Sequence, residues 1–444
     1  VALSVAALLL AACASNTETP AASIDEDALS TAEEAALEAA GGERIGGQVT
    51  VVGVNGGVEG EIIEATFEPF EEATGIDVVY QGTSDANTVV QTGVAAGNPP
   101  DIFNAANAGA LPGYARAGAL VPLDDLFDRA ELEEQFGTAL LESATVDGSL
   151  YGIWNEVDNF MLWYNADTYE GPDSPESWEE VMGWSTAEAQ AGGGPAPWCM
   201  GLESGAASGV PGAHFISNLI LRAYGPEVVA QLAAGELPFT SPEVEDGFRM
   251  FGEIATQPEM VEGGPTGVLA TRTVDAGNGL FSDPQRCQLL GWGNYAAGLI
   301  TSANPTVTPG ENLDFFRYPA IEADYANSEM VSGHVMYAFN DTPQVRAFMR
   351  YYASPEAQAL LASSGQWVVG NRDVPLATYP NEISRRAAEQ YLDSEEVVLA
   401  PVSQLPAPIV LEFYRSVVAY VQDPASLDSV LATLEAKRLE VIGG

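Results

Sequence analysis

The residues of narrowest chemistry in this chain are few: two histidines, three cysteines and a single lysine. His214 and His334 are far apart in sequence and stand in no HExxH spacing, so a histidine-based zinc centre would be poor in ligands. The lysine, Lys437, lies in the closing helical tail, so no GxxxxGK loop exists and a pyridoxal Schiff base has no suitable partner. Gly205-Ala206-Ala207-Ser208-Gly209 misses a GxSxG nucleophile elbow by one position. The glycines from Gly53 to Gly60 depart from GxGxxG and have no basic neighbour for a phosphate, which favours a tight turn over a nucleotide site. The 63 acidic residues leave a carboxylate pair for glycoside hydrolysis open, but spacing singles out none of them. Four of the seven tryptophans, Trp154, Trp198, Trp292 and Trp367, stand in Gly- or Pro-rich or turn-like contexts, where a ring can meet a ligand or equally pack a core.

The elements that hold these residues belong to a large acidic protein. Its 444 residues suggest two or three domains, and 46% hydrophobic residues can fill sizeable cores. Sixteen basic residues against 63 acidic ones give a net charge of −47, which repels nucleic acid and disfavours adsorption to anionic lipid.

Residues 1–12 (VALSVAALLLAA) are too short an apolar run to span a bilayer and read as the core of a secretory signal. Leu10-Ala11-Ala12-Cys13 resembles a bacterial lipoprotein box, which makes Cys13 the expected lipid attachment site. Residues 13–47 then read as a solvated, lipid-anchored spacer. With Cys13 lipidated in an oxidising compartment, Cys199 and Cys287 are left as the expected disulfide.

The body reads as α/β. Residues 48–54 and 76–80 are strand-like, 59–73 and 86–96 helical, and this alternation points to a parallel sheet with helices on its faces. Residues 151–154 and 160–165 suggest two strands around a polar turn. Further helices are expected at 213–234, 242–256, 343–353 and 355–363, a strand at 330–339, and amphipathic helices from 405 to 440.

Ordered blocks across residues 48–440, among them TGIDVVYQG (74–82), AGNPPDIFN (96–104), VDGSLYGI (146–153), PWCMGLESGAASG (197–209) and GWGNY (291–295), resemble the extracellular solute-binding proteins of bacterial carbohydrate ABC importers, in particular their α-glucoside-binding branch. The resemblance implies an α/β fold of two lobes with a ligand cleft between them. Lobe 1 would comprise 48–155 and 332–375, lobe 2 156–331 and the C-terminal helices of 376–444, with crossings near 154–156, 331 and 375. A monomer anchored to the membrane by lipid alone would close on a neutral di- or oligosaccharide and dock on an ABC permease, with no cofactor, no metal and no chemistry on the ligand. Sugars present hydroxyl edges and apolar ring faces, so aromatic and carboxylate or amide side chains suit them. The expected ligand-binding residues are Trp292 as the stacking ring, Glu156 or Asp158 for hydroxyls, Asn104 and Asn107 from lobe 1, and Trp198, Glu203, His334 and Trp367. Glu203 has an alternative role as a cap of the 205–209 turn, and His214 carries no functional signal. The stretch 154–158 lacks the lysine common among such proteins, and Asn107-Ala108-Gly109 replaces their usual turn, so the ligand's identity stays open. The competing readings are a binding protein for a peptide or polyamine and a secreted glycoside hydrolase.

Overall fold

The computed structural model describes residues 26–443, so the signal-like segment and Cys13 lie outside the described residues. In chain order the strands are β1 (Gly47–Gly53), β2 (Ile76–Gly82), β3 (Ile102–Ala105), the short pair β4 (Thr145–Val146) and β5 (Ser149–Leu150), β6 (Gly152–Trp154), β7 (Glu156–Asn165), β8 (Ala196–Cys199), β9 (Cys287–Gly293), β10 (Leu313–Arg317), β11 (Ser328–Ser332), β12 (Val335–Ala338), β13 (Val368–Val369) and β14 (Glu396–Leu399). They build two main sheets, ordered β2-β1-β3-β12-β6 and β14-β11-β7-β9-β8, with β10 and β13 also pairing β7. The first is parallel through β2, β1 and β3, but β12 runs antiparallel to β3 and β6. The second is mixed throughout. The parallel sheet expected from the amino-terminal alternation is therefore only its first three strands.

The first βαβ unit shows why these residues take these forms. Helix Val58–Thr74 buries Ile63, Phe67 and Phe70 on one stripe and ends at Gly75, whose left-handed backbone lets its N–H bond Glu71 O. Pro69 sits inside the helix without ending it. Further along, Thr342 and Ser354 cap helices Pro343–Ala353 and Pro355–Ser363, each with proline in the first turn.

Strand β7 is the spine of the second lobe. Met161 and Trp163 join the core that continues into the first lobe, while Phe160, Leu162 and Tyr164 face a second core lined by helices Val210–Tyr224, Pro242–Ala255 and Ala407–Gln422. A sheet covered on both faces explains a strand that is apolar at nearly every position. At its far edge, Cys199 on β8 and Cys287 on β9 are joined by a disulfide.

Several expectations are corrected. Residues 151–165 are not a hairpin: β6 and β7 are separated only by Asn155 and lie in different sheets, so the polar residue marks a crossing between lobes. The expected strand 330–339 is likewise two strands, β11 in the second sheet and β12 in the first, with Gly333-His334 between them. Asn155 N–H donates to His334 O and His334 N–H to Glu156 O, so the two crossings are hydrogen-bonded side by side. The third joins them at β13, ahead of residue 375: Val368 and Val369 pair with Val157 and Glu156. The helix expected at 213–234 is broken at Gly225-Pro226 into Val210–Tyr224 and Pro226–Ala233. The solvated spacer ends early, because helix Glu26–Ala39 buries Ala32 and Ala36 against the first lobe. Its small side chains allow close packing even though they bury little area.

Candidate functional site

A cleft of about 590 Å³ opens where the crossings meet. Its walls come from three directions. The first lobe supplies Asn55, Glu59 and Asn107 from the loops and helix start that follow β1 and β3. The crossings supply Glu156, Asp158, Ser332, His334, Gln366 and Trp367. The second lobe supplies His214 from helix Val210–Tyr224, Tyr295 just after β9, Ser302 from helix Ala296–Ala303, Ser403 and Tyr414. Loops after strand ends are the usual ligand-facing positions of α/β sheets.

The electrostatic centre is a trio on the crossings. His334 Nδ1 lies 3.2 Å from Glu156 Oε2 without a linear hydrogen bond, and both side chains are buried. Burial pushes the His334 imidazole down, but the Glu156 and Asp158 carboxylates outweigh it and leave its pKa raised. Asp158, half-buried two residues along β7, accepts a long 3.4 Å bond from Ser332 Oγ. Burial, joined by the charge of Glu156 and opposed by that of His334, pushes the Asp158 carboxyl up to about 7. His214 behaves oppositely: burial alone lowers it to about 4, so it is neutral at pH 7. Its ring packs against Phe160 at a centroid distance of 4.5 Å.

Of the residues expected from sequence, the cleft brings together Asn107, Glu156, Asp158, His334 and Trp367. Asn107 also braces its own turn by accepting Gly109 N–H at 3.1 Å. The other four do not line the cleft. Trp198 is fully buried in the second-lobe core, where its indole N–H donates to Ser185 Oγ at 3.0 Å and its ring packs against Trp178 and Phe215. The Gly- and Pro-rich flanks had suggested a loop, but Trp198 lies on β8. Glu203 braces the 205–209 turn by accepting Gly205 N–H. Asn104 is buried within β3, between Gly53 of β1 and Met336 of β12. Trp292 is only 7% exposed on β9, edge-on to Tyr295 with ring centroids 6.1 Å apart. Tyr295, not Trp292, reaches the wall, because the strand ends at Gly293 and the next turn faces the cleft.

His214, Tyr295 and Tyr414 were not anticipated. Tyr295 carried a usable signal, as an aromatic between a strand and a helix start. Tyr414 sits in a long amphipathic helix whose exposed and cleft-facing sides look alike in sequence.

What the wall offers is two carboxylates and an ion pair, neutral hydroxyl and imidazole groups, and aromatic rings. Among the described residues no group of histidine, cysteine, aspartate and glutamate could hold a metal ion, and no helix is long and apolar enough to cross a membrane.

Residues 56–359 match the family model described as "Bacterial extracellular solute-binding protein". The chain is similar to the osmoprotective compounds-binding protein GgtB of Synechocystis sp., 35% identical over 361 residues that make up 81% of this chain and 84% of that protein. It is also similar to the alpha-glucosides-binding periplasmic protein AglE of Rhizobium meliloti, 28% identical over 79% of this chain and 78% of that one. Among solved structures, a chitin oligosaccharide binding protein superposes with a TM-score of 0.72 at 22% identity, covering 89% of this chain and 99% of its own. The solute receptor AcbH superposes at 0.71 with 19% identity, covering 89% and 98%. Both share the fold.

Proposed function

Because this chain belongs to the bacterial extracellular solute-binding protein family, we propose that its cleft captures an α-glucoside or small oligosaccharide outside the cytoplasm and delivers it to an ABC permease without chemical turnover. The observation that carries this is the cleft wall: carboxylates at the crossings beside aromatic rings from the crossings and the second lobe, with hydroxyl groups between them. Glu156, Asp158 and Asn107 take sugar hydroxyls, while Trp367, Tyr295 and Tyr414 cover the less polar ring faces. Sugar touching both lobes stabilises the closed arrangement by its greater affinity for that state. The chain acts as a monomer anchored through a lipid on Cys13. Intact mass of membrane-purified protein checks the anchor, and an unmodified Cys13 behind a different mature N-terminus would refute it.

A second ligand class, osmoprotective compounds, is favoured by the 35% identity to GgtB. One titration set separates the readings: maltose, trehalose, sucrose and longer α-glucosides by calorimetry, alongside non-glycosidic osmoprotectants, peptides and polyamines. Saturable heat with a sugar and no product supports capture of a glycoside. Sugar hydrolysis would transfer the reading to an enzyme, and binding only of another solute would transfer it to that class.

A further inference from the structure

The cleft's charges are one-sided. Glu59, Glu156 and Asp158 line it, and among the described residues no arginine or lysine does. His334 answers Glu156, which leaves Glu59 and Asp158 with no ion-pair partner in the described structure. Glu59 Oε2 accepts only Asn55 Nδ2 at 3.1 Å, and Asp158 only the long bond from Ser332. The two sit on opposite parts of the site, Glu59 on the first turn of a first-lobe helix and Asp158 on the spine of the second lobe. They already repel each other across the cleft. Glu156 is an independent sign that the wall is built for a ligand: it is 1% exposed, lines the cleft, and its Oε1 has no protein partner.

Opposing this, helices Val210–Tyr224 and Ala296–Ala303 start at the wall without capping side chains. Each helix start is worth about half a positive charge that fades within a turn. Helix Val58–Thr74 also starts there, but Glu61 in its own first turn offsets it. The unpaired Glu59 carboxylate, together with Asp158, which is more ionised than not at pH 7.5, therefore outweighs the two remaining partial charges.

We infer that Glu59 and Asp158 act together as a charge filter: the cleft rejects negatively charged glycosides and holds those bearing a basic amine more tightly than neutral ones. This rests on the sugar reading above and deepens it. The test uses two skeletons in three charge states: trehalose and maltose, their 6-amino-6-deoxy forms, and their 6-phosphates. Calorimetric titration of the wild type at pH 7.5 should rank amine above neutral above phosphate. The phosphate should be at least about tenfold weaker than the neutral sugar, the size of one strongly felt like charge. In the Glu59→Gln/Asp158→Asn double variant the spread should fall to about threefold or less, and in the wild type it should narrow in 0.5 M salt as exposed Glu59 is screened. Equal affinity for neutral and phosphorylated forms would overturn the filter and leave sugar capture standing. Binding of the amines without the neutral sugars would uphold the filter and overturn the neutral-glucoside reading, whereas failure of all six would overturn both. A spread unchanged in a folded double variant would remove these two residues from the role.

Discussion

Replacing Trp292 and Tyr295 by alanine, one at a time, separates the wall of the cleft from what stands behind it. Trp292 is 7% exposed on a central strand, paired in register with Met161 and set edge-on to Tyr295. Removing a buried tryptophan ring costs about 3–5 kcal/mol through lost burial and the cavity left behind. That is a large fraction of a typical domain's stability of about 5–15 kcal/mol. Trp292→Ala should therefore lower the urea midpoint strongly, and any loss of affinity should follow from the loosened Tyr295. Tyr295 is half-buried with its ring on the wall. Tyr295→Ala should weaken sugar binding by about 1–3 kcal/mol, roughly five- to more than hundredfold, while the midpoint moves much less. Calorimetry with the best-binding sugar and urea unfolding followed by far-UV circular dichroism read the two quantities separately. If Trp292→Ala keeps the wild-type midpoint yet loses the ligand, or Tyr295→Ala binds like the wild type, the assignment of wall and backing is wrong.

The disulfide closes a loop of 88 residues, for which chain entropy gives about 4–5 kcal/mol, so Cys199→Ala/Cys287→Ala should unfold at much lower urea while sugar affinity at low temperature is retained; an unchanged midpoint would contradict this. Gly333 has φ +134° and a Cβ there would sit 2.1 Å from Glu156 O, so Gly333→Ala should cost at least about 1–3 kcal/mol and impair binding together with stability, measured by the same two assays. The melting temperature should fall from pH 6.5 to pH 8. The raised Asp158 and His334 both bind protons more readily folded than unfolded, so their contribution is full below their unfolded values and is lost as pH rises through their folded ones. His214, held low, acts only below about pH 6.5 and in the opposite direction, and Asp158→Asn with His334→Gln should flatten the slope above it.

Periodicity and caps made the helices and many strands legible. Pro343–Ala353 and Pro355–Ser363 announce themselves by a capping Thr or Ser followed by proline, and Gly75 marks the end of the helix before it. The crossings were expected only from the family resemblance, and the local pattern hides them for a physical reason. Gly152–Trp154 and Glu156–Asn165 are both extended, so nothing in their local pattern says that the residue between them leaves one sheet for another. The same applies at Gly333-His334. Glu156, Asp158 and His334 were expected because the resemblance puts them where the chain passes between lobes, and all three line the cleft. The expectation failed at Trp198 and Trp292, since a large ring satisfies a core as well as it satisfies a ligand and only neighbours in space decide between them. The packing of helix Glu26–Ala39 on the first lobe was missed because a stripe of alanines has little hydrophobic signal.

The interleaving of the lobes also sets an order of assembly. The first sheet is incomplete until β12 pairs between β3 and β6, so its central gap is filled by residues 335–338, long after β3 at 102–105. Helix Glu26–Ala39 can pack early on helix Val58–Thr74, but its remaining neighbours, helices Pro343–Ala353 and Pro355–Ser363, lie more than 300 residues further along the chain. A chain emerging from its N-terminus therefore exposes β1, β2 and the apolar stripe of helix Val58–Thr74 through the whole synthesis of residues 156–332. Such late pairings make folding slow and leave unpaired strand edges open to wrong partners. The second lobe, whose β7, β8, β9, β10 and β11 all arise between 156 and 332, can gather most of its sheet first and then present β7 as the edge of the hinge onto which the first lobe is completed.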